Sequence, residues 1–299
     1  MPIYINDELV EAKQFAGGER NINIGVIETG DSVNVTAYLL NSDDIFDLLL
    51  TTDALRRRSA DVGIDLTIPY FSYARQDRVC NPGEALSVDV MVRLVNSLNC
   101  NTVTVFDPHS QKTMDGLANA RAITAADVIA QSPLKDLIKL AALELVAPDK
   151  GAITRTNLVC DALGGLPVHY CTKERDSVSH EITKTVISGD VQGKSLIIID
   201  DICDGGRTFI QLGKALKEAG AKDVYLYVTH GIFMAGLEIL KPAIDGIFCL
   251  HTYLKPEQRD SSFLNVLEDE MALRPLARFR AGKRSATPRA STVNPSIQL

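Results

Sequence analysis

Short runs of consecutive apolar residues punctuate this chain, and between them apolar positions recur at helical spacing. Asp65–Pro69 (DLTIP), Thr102–Phe106 (TVTVF), Leu143–Ala147 (LELVA), Val168–Thr172 (VHYCT), Ser195–Asp200 (SLIIID), Val224–Thr229 (VYLYVT) and Ile247–His251 (IFCLH) are predicted strands. Ala85–Leu98 is apolar at helical intervals, and Thr208–Ala219 reads as a helix that stops at Gly220. Strands that are apolar throughout belong to parallel sheets covered on both faces. Their alternation with helices predicts a doubly wound α/β architecture.

In such sheets, ligands sit beyond the carboxyl ends of the strands. Five polar clusters stand at those positions. YFSYARQDR follows the strand at 65–69, DPHS the strand at 102–106 and PDKGA the strand at 143–147. KERD follows the strand at 168–172, and DDICDGGRTF the strand at 195–200. Five such clusters at five strand ends point to function rather than to incidental loops.

Bulk properties narrow the partners. The chain has 299 residues, enough for two domains of about 150 each. A net charge of −7 argues against a general nucleic-acid or membrane surface. It leaves a phosphate-bearing substrate open, because local loops and helix ends hold small anions. The start, MPIYINDELVEAKQ, has no basic segment leading into an apolar one, so no secretory signal is expected. No apolar stretch approaches a membrane span. The six cysteines are scattered without zinc spacing, as expected of reduced thiols in a cytoplasm. After Glu270 no acidic residue follows, and Arg274, Arg278, Arg280, Lys283, Arg284 and Arg289 make a basic tail. Its last part, rich in Ser, Thr and Pro, is expected to be disordered.

The segment Ser195–Phe209 carries the most chemistry. An apolar strand ends in Asp200 and Asp201, and a short loop with Gly205 and Gly206 opens a helix. Glycines let backbone amides approach an anion, and the helix start adds further amides and its dipole. Thr208 can add a hydroxyl. The two aspartates cannot contact a phosphate; they suit the 2- and 3-hydroxyls of a ribose, directly or through Mg2+. The unit reads as a cradle for a sugar phosphate.

The strand-DDxxDxGxT-helix pattern resembles the phosphoribosyl-diphosphate (PRPP) loop of type I phosphoribosyltransferases. Together with TDALRRRSA (Thr52–Ala60), YFSYARQDR, DPHS, PDKGA, KERD and VTHGIF (Val228–Phe233), the chain is similar to the ribose-phosphate diphosphokinases over roughly residues 14 to 255. The resemblance implies two tandem phosphoribosyltransferase-like domains with parallel sheets flanked by helices. It places an ATP-side domain at 1–145, a ribose-phosphate domain at 146–270 and the basic tail at 271–299. It implies ATP binding by Arg75, Gln76 and Asp77, with Glu19 reaching adenine from a neighbouring subunit. His109, also on ATP, and Asp149 would help hold Mg2+. Lys173 and Arg175 would be catalytic, steadying the transferring phosphoryl group. Asp200, Asp201, Asp204, Gly205, Gly206, Arg207 and Thr208 would bind ribose 5-phosphate. It also implies a homo-oligomer built of dimers, a hexamer in many members. His169, His180 and His251 are left as structural or exposed.

These roles suit the chemistry, since diphosphoryl transfer needs positioning and charge neutralisation more than a covalent catalyst. No side chain stands out as a strong general base. Three features depart from the family pattern. About 14 residues precede Phe15, fewer than usual, so a trimmed N-terminal domain is expected. Gly17 replaces an acid that commonly touches adenine. Gly205 stands where the family usually has Thr, and Arg207 where it usually has a small residue. Losing that hydroxyl weakens the grip on a terminal phosphate by about 1 kcal/mol, which Arg207 can offset. The expected activity is transfer of the β,γ-diphosphate of ATP to the anomeric hydroxyl of ribose 5-phosphate, giving PRPP and AMP. An alternative acceptor is a ribose 5-phosphoester such as ADP-ribose. A phosphoribosyltransferase would share the loop without needing ARQDR, DPHS and KERD together. A non-catalytic homologue would not need to keep Lys173, Arg175 and His109.

Overall fold

The computed structural model describes residues 3–26, 30–175 and 182–270, with the backbone alone over 173–175, 182–185 and 269–270. The basic tail at 271–299 and His180 lie outside the described residues. The chain divides after Ile123 into two compact units.

The first unit opens with β1 (Ile3–Ile5), β2 (Glu8–Gln14), β3 (Arg20–Asn23) and β4 (Ser32–Ala37). It continues with α1 (Ser42–Arg58), β5 (Gly63–Ile68), α2 (Ser87–Asn96), β6 (Thr102–Phe106), α3 (Gln111–Gly116) and β7 (Ala120–Ile123). The seven strands form one sheet in the order β3-β2-β1-β4-β5-β6-β7. From β4 to β7 the pairs are parallel, whereas β1, β2 and β3 join antiparallel. The three antiparallel strands escape a reading by hydrophobic pattern. In β2 only Val10 is buried, so no alternation marks it.

Local chemistry explains the helices. α1 begins at Asn41 with a capping box: Asn41 and Asp44 each accept the other's backbone amide. Three arginines occupy its last turn, where the dipole favours cations. α2 buries Val88, Met91, Val92 and Val95, one stripe of a helix. It lies two residues inside each end of the predicted Ala85–Leu98.

The second unit holds α4 (Ala125–Gln131), α5 (Leu134–Leu140), β8 (Glu144–Ala147) and α6 (Ile153–Leu163). There follow β9 (Val168–Arg175), β10 (Ile182–Ile187), β11 (Ser195–Cys203), α7 (Arg207–Glu218), β12 (Asp223–Gly231), β13 (Gly246–Thr252), β14 (Leu264–Val266) and α8 (Leu267–Glu270). Their sheet runs β10-β9-β8-β11-β12-β13-β14. All its pairs are parallel except β9 with β10. β11, β12 and β13 are buried almost throughout, as fully apolar strands require.

The reading of parallel sheets flanked by helices holds, with the antiparallel pairs gathered at one edge of each sheet. Of the polar run after Thr172, Lys173, Glu174 and Arg175 do not follow the strand but belong to it: β9 extends through Arg175, and Lys173 pairs in register with Thr185 of β10. A polar run fits a strand when it is an edge hairpin rather than a buried element.

The second sheet turns back on itself at β8. Its chain successor β9 lies on one side and β11 on the other. A reversal of this kind opens a crevice at the carboxyl ends of the two strands. β8 leads into Asp149, and β11 ends in Asp200–Cys203.

Candidate active site

Asp200 and Asp201 sit near the end of β11, both largely enclosed. Asp201 donates its backbone N–H to Asp200 Oδ1 at 2.9 Å. Arg155, from the first turns of α6, reaches both carboxylates. Its Nη1 lies 3.3 Å from Asp200 Oδ1 and its Nη2 3.5 Å from Asp201 Oδ2. Burial drives the Asp200 carboxyl well above the ordinary range, and the neighbouring Asp201 adds to this; the Arg155 guanidinium pulls the other way. Carboxyls perturbed in this way cluster at functional sites.

The loop that follows turns sharply into α7. Gly206 caps α7 with φ +70°, in the left-handed region that only glycine enters freely. A Cβ there would stand 3.0 Å from Leu240 Cδ2. Gly205 is exposed, and a Cβ at that position would meet nothing within 4 Å. Arg207 is exposed and Thr208 half-buried at the first turn of the helix, and Asp204 is half-buried.

A second strand end braces the loop. The backbone N–H groups of Ile232 and Phe233 both donate to the Cys203 carbonyl, at 2.9 and 3.0 Å. Behind them His230 Nδ1 meets His251 Nε2 at 2.9 Å. His251 is buried, and its pKa is pushed well down by burial and by His230. His169 is buried too, between Glu144 Oε2 at 2.6 Å and the Ser188 carbonyl. Of the two options the sequence left for them, structural or exposed, neither is exposed.

Asp149 follows β8 and caps the 3-10 turn Lys150–Ala152. Its Oδ1 accepts the amides of Gly151 at 2.9 Å and Ala152 at 3.3 Å. Lys173 and Arg175 lie on β9, and their side chains lie outside what is described.

The remaining expected residues belong to the first unit. Glu19 is exposed at the β2–β3 hairpin, where Phe15 donates its N–H to the Glu19 carbonyl at 2.9 Å. Arg20 fastens that hairpin to α1 through Asp47, with Nε 2.9 Å from Oδ1. Arg75 and Gln76 are exposed after β5, and Asp77 is half-buried with Arg78 4.0 Å away. His109 is exposed after β6, two residues beyond the buried Asp107 at φ +37°.

Sequence reasoning missed Arg155. Nothing in ITRTN marks it, since an isolated arginine in a helix is usually a solvated one. Its place three residues after PDKGA, in the first turn of a helix that starts at the carboxyl end of β8, was the only available signal.

Comparison with known proteins agrees with this geometry. The family described as the N-terminal domain of ribose phosphate pyrophosphokinase matches residues 4–98, and the phosphoribosyl transferase domain matches residues 117–246. Ribose-phosphate pyrophosphokinase of Thermococcus kodakarensis is 33% identical over 265 residues, covering 87% of this chain and 91% of the relative. That of Pyrococcus abyssi is 34% identical over 247 residues, covering 81% and 84%. The crystal structure of phosphoribosylpyrophosphate synthetase from Mycobacterium smegmatis shares the fold, with a TM-score of 0.75 at 23% identity over 91% of each chain.

Proposed function

The chain belongs to the ribose-phosphate pyrophosphokinase family, and from that premise we propose that it transfers the β,γ-diphosphate of ATP to the anomeric hydroxyl of ribose 5-phosphate, releasing AMP and PRPP. The observation that carries this reading is the sequence of groups along one strand end: the paired carboxylates of Asp200 and Asp201, then Gly205, Gly206 and the N-terminus of α7. Carboxylates accept the ribose hydroxyls. Backbone amides, Arg207 and Thr208 take the 5-phosphate. Asp204 lines the same turn.

Arg75, Gln76 and Asp77 bind ATP, and His109 contacts its phosphates. Glu19 serves adenine from a neighbouring copy in a dimer-based homo-oligomer. Lys173 and Arg175 supply cationic donors where charge accumulates on the transferring phosphorus. Catalysis on this reading is positioning and neutralisation, with the attacking hydroxyl held in line with AMP.

Mg2+ is the metal that this chemistry implies. The chemistry of Asp149 fits it, since a hard carboxylate oxygen, Oδ2, lies beside the one that caps the turn; His109, the other ligand on this reading, is exposed in the first unit. Among the described residues no group of three or more His, Cys, Asp or Glu is placed to cage an ion. Mg2+ commonly takes most of its ligands from phosphates and water. When bound it neutralises phosphate charge. Among the described residues no helix is long and apolar enough to cross a membrane.

The open space at Gly205 supports one second reading. A Cβ at Gly205 would meet nothing within 4 Å, and a turn without the family's Thr closes less tightly on a phosphate monoester, so a ribose 5-phosphoester such as ADP-ribose is the alternative. One experiment tests both. The protein is incubated with ATP, Mg2+ and each acceptor in parallel, and products are identified by mass. PRPP and AMP in equal amounts support the first reading. AMP formed only with the phosphoester selects the second, and no AMP with either sinks both.

A further inference from the structure

Successive side chains of a strand point to opposite faces of the sheet. Asp200 and Asp201 are successive residues of β11, yet both carboxylates reach one guanidinium. Asp200 Oδ1 turns along its own strand to accept the amide of Asp201 at 2.9 Å. Arg155 then meets that same Oδ1 at 3.3 Å and Asp201 Oδ2 at 3.5 Å, one terminal nitrogen on each carboxylate. The side chains are 17%, 6% and 13% exposed for Asp200, Asp201 and Arg155. Two carboxylates this enclosed repel each other; with no cation between them they move apart or one of them takes up a proton.

Arg155 is itself held firmly. It sits within the first turns of α6, whose start follows the Asp149 cap. Thr156 beside it is fully buried and donates Oγ1 to the Ala152 carbonyl at 2.9 Å. The guanidinium is therefore presented from a helical turn that is capped and buried on the Thr156 side, a placement suited to setting the geometry of other groups. A planar fork with two terminal nitrogens matches two carboxylates in a way a lysine ammonium does not.

We propose that Arg155 is a positioning residue for the acceptor: it gathers Asp200 and Asp201 so that both carboxylates face the vicinal hydroxyls of one ribose. This rests on the functional reading above. Arg155 binds no phosphate on this account and takes no part in the transfer. Its effect is confined to the acceptor and passes through the two aspartates.

The test uses the full chain with Arg155→Met, Arg155→Lys and Arg155→Gln. KM for ribose 5-phosphate is measured separately from KM for ATP, and crystal structures of the parent and Arg155→Met are compared. In Arg155→Met the acceptor KM is expected to rise about tenfold or more while the ATP KM moves less than about twofold. Arg155→Lys, which keeps the charge without the fork, is expected to fall between. The Asp200 and Asp201 carboxylates are expected to separate in the Arg155→Met crystal. Should Arg155→Met fail to fold, Arg155→Lys and Arg155→Gln carry the same comparisons. An unchanged acceptor KM overturns the proposal. So do equal rises in both KM values across the variants, which would mean a merely structural arginine, and so do carboxylates that stay together without it. The crystallographic comparison requires no turnover. It decides whether Arg155 gathers the two aspartates even if the parent makes no PRPP, an outcome that would instead remove the functional reading.

Discussion

His230 and His251 face each other on neighbouring strands, Nδ1 to Nε2 at 2.9 Å, just behind the loop that follows β11. Both rings are buried. The loop hangs from the same corner, because Ile232 and Phe233 donate to the Cys203 carbonyl.

This pair makes stability depend on pH. The folded pKa of His251 is depressed, so below the ordinary histidine range the unfolded chain binds a proton that the folded chain does not. Stability is then complete above about pH 6.5 and falls as pH drops through that value. The loss is about 1.4 kcal/mol per pH unit for one such group. Denaturant melts of the parent and of His251→Gln between neutral and mildly acidic pH measure it. The variant is expected to show the shallower slope, and equal slopes would refute the assignment.

Asp200 titrates in the opposite sense. Its carboxyl is pushed well above the ordinary aspartate range, so it keeps its proton to a higher pH than an exposed aspartate. A protonated Asp200 is a poorer acceptor for a ribose hydroxyl. Ribose 5-phosphate KM should therefore rise as pH falls, beginning above the range of an ordinary carboxylate. Asp200→Asn should bind acceptor weakly at every pH and lose that limb. A limb that survives the substitution would belong to another group.

The phosphate loop makes two contrasting predictions. Gly206→Ala places a Cβ at φ +70° and 3.0 Å from Leu240, a strain of about 1–2 kcal/mol. Thermal stability should drop and the acceptor KM rise. Gly205 lies outside the left-handed region and has open space around its missing Cβ. Gly205→Thr should fold normally and add one hydroxyl donor, lowering the KM for ribose 5-phosphate about fivefold, the worth of roughly 1 kcal/mol. If Gly205→Thr also abolishes turnover of a 5-phosphoester acceptor, the open space at this position is what admits it.

Lys173→Ala should lower kcat by on the order of 10²–10³ with little change in either KM, as for loss of a donor used mainly in the transition state. Single-turnover AMP release is the measurement. Unchanged release would remove Lys173 from the catalytic set.

Much of this protein is determined by its sequence alone. Apolar runs such as SLIIID and VYLYVT specify buried parallel strands because nothing polar interrupts them. The stripe at Val88, Met91, Val92 and Val95 specifies α2. The Asp-Asp, Gly-Gly and Thr spacing after β11 specifies a cradle, because glycine and a helix start are local properties of the chain. Where local pattern is weak, the sequence is silent. β2 hides because one buried side chain makes no periodicity, and β10 because its strand character comes from pairing with β9. The polar run Lys173–Arg175 reads as a loop by composition, and only the hairpin makes it a strand. Tertiary structure alone brings Arg155 across to Asp200 and Asp201, 45 and 46 positions away. It alone sets His230 against His251, ring nitrogen to ring nitrogen, and hangs the Cys203 carbonyl from Phe233. These are contacts between elements distant in the chain, and sheet order rather than residue spacing sets them.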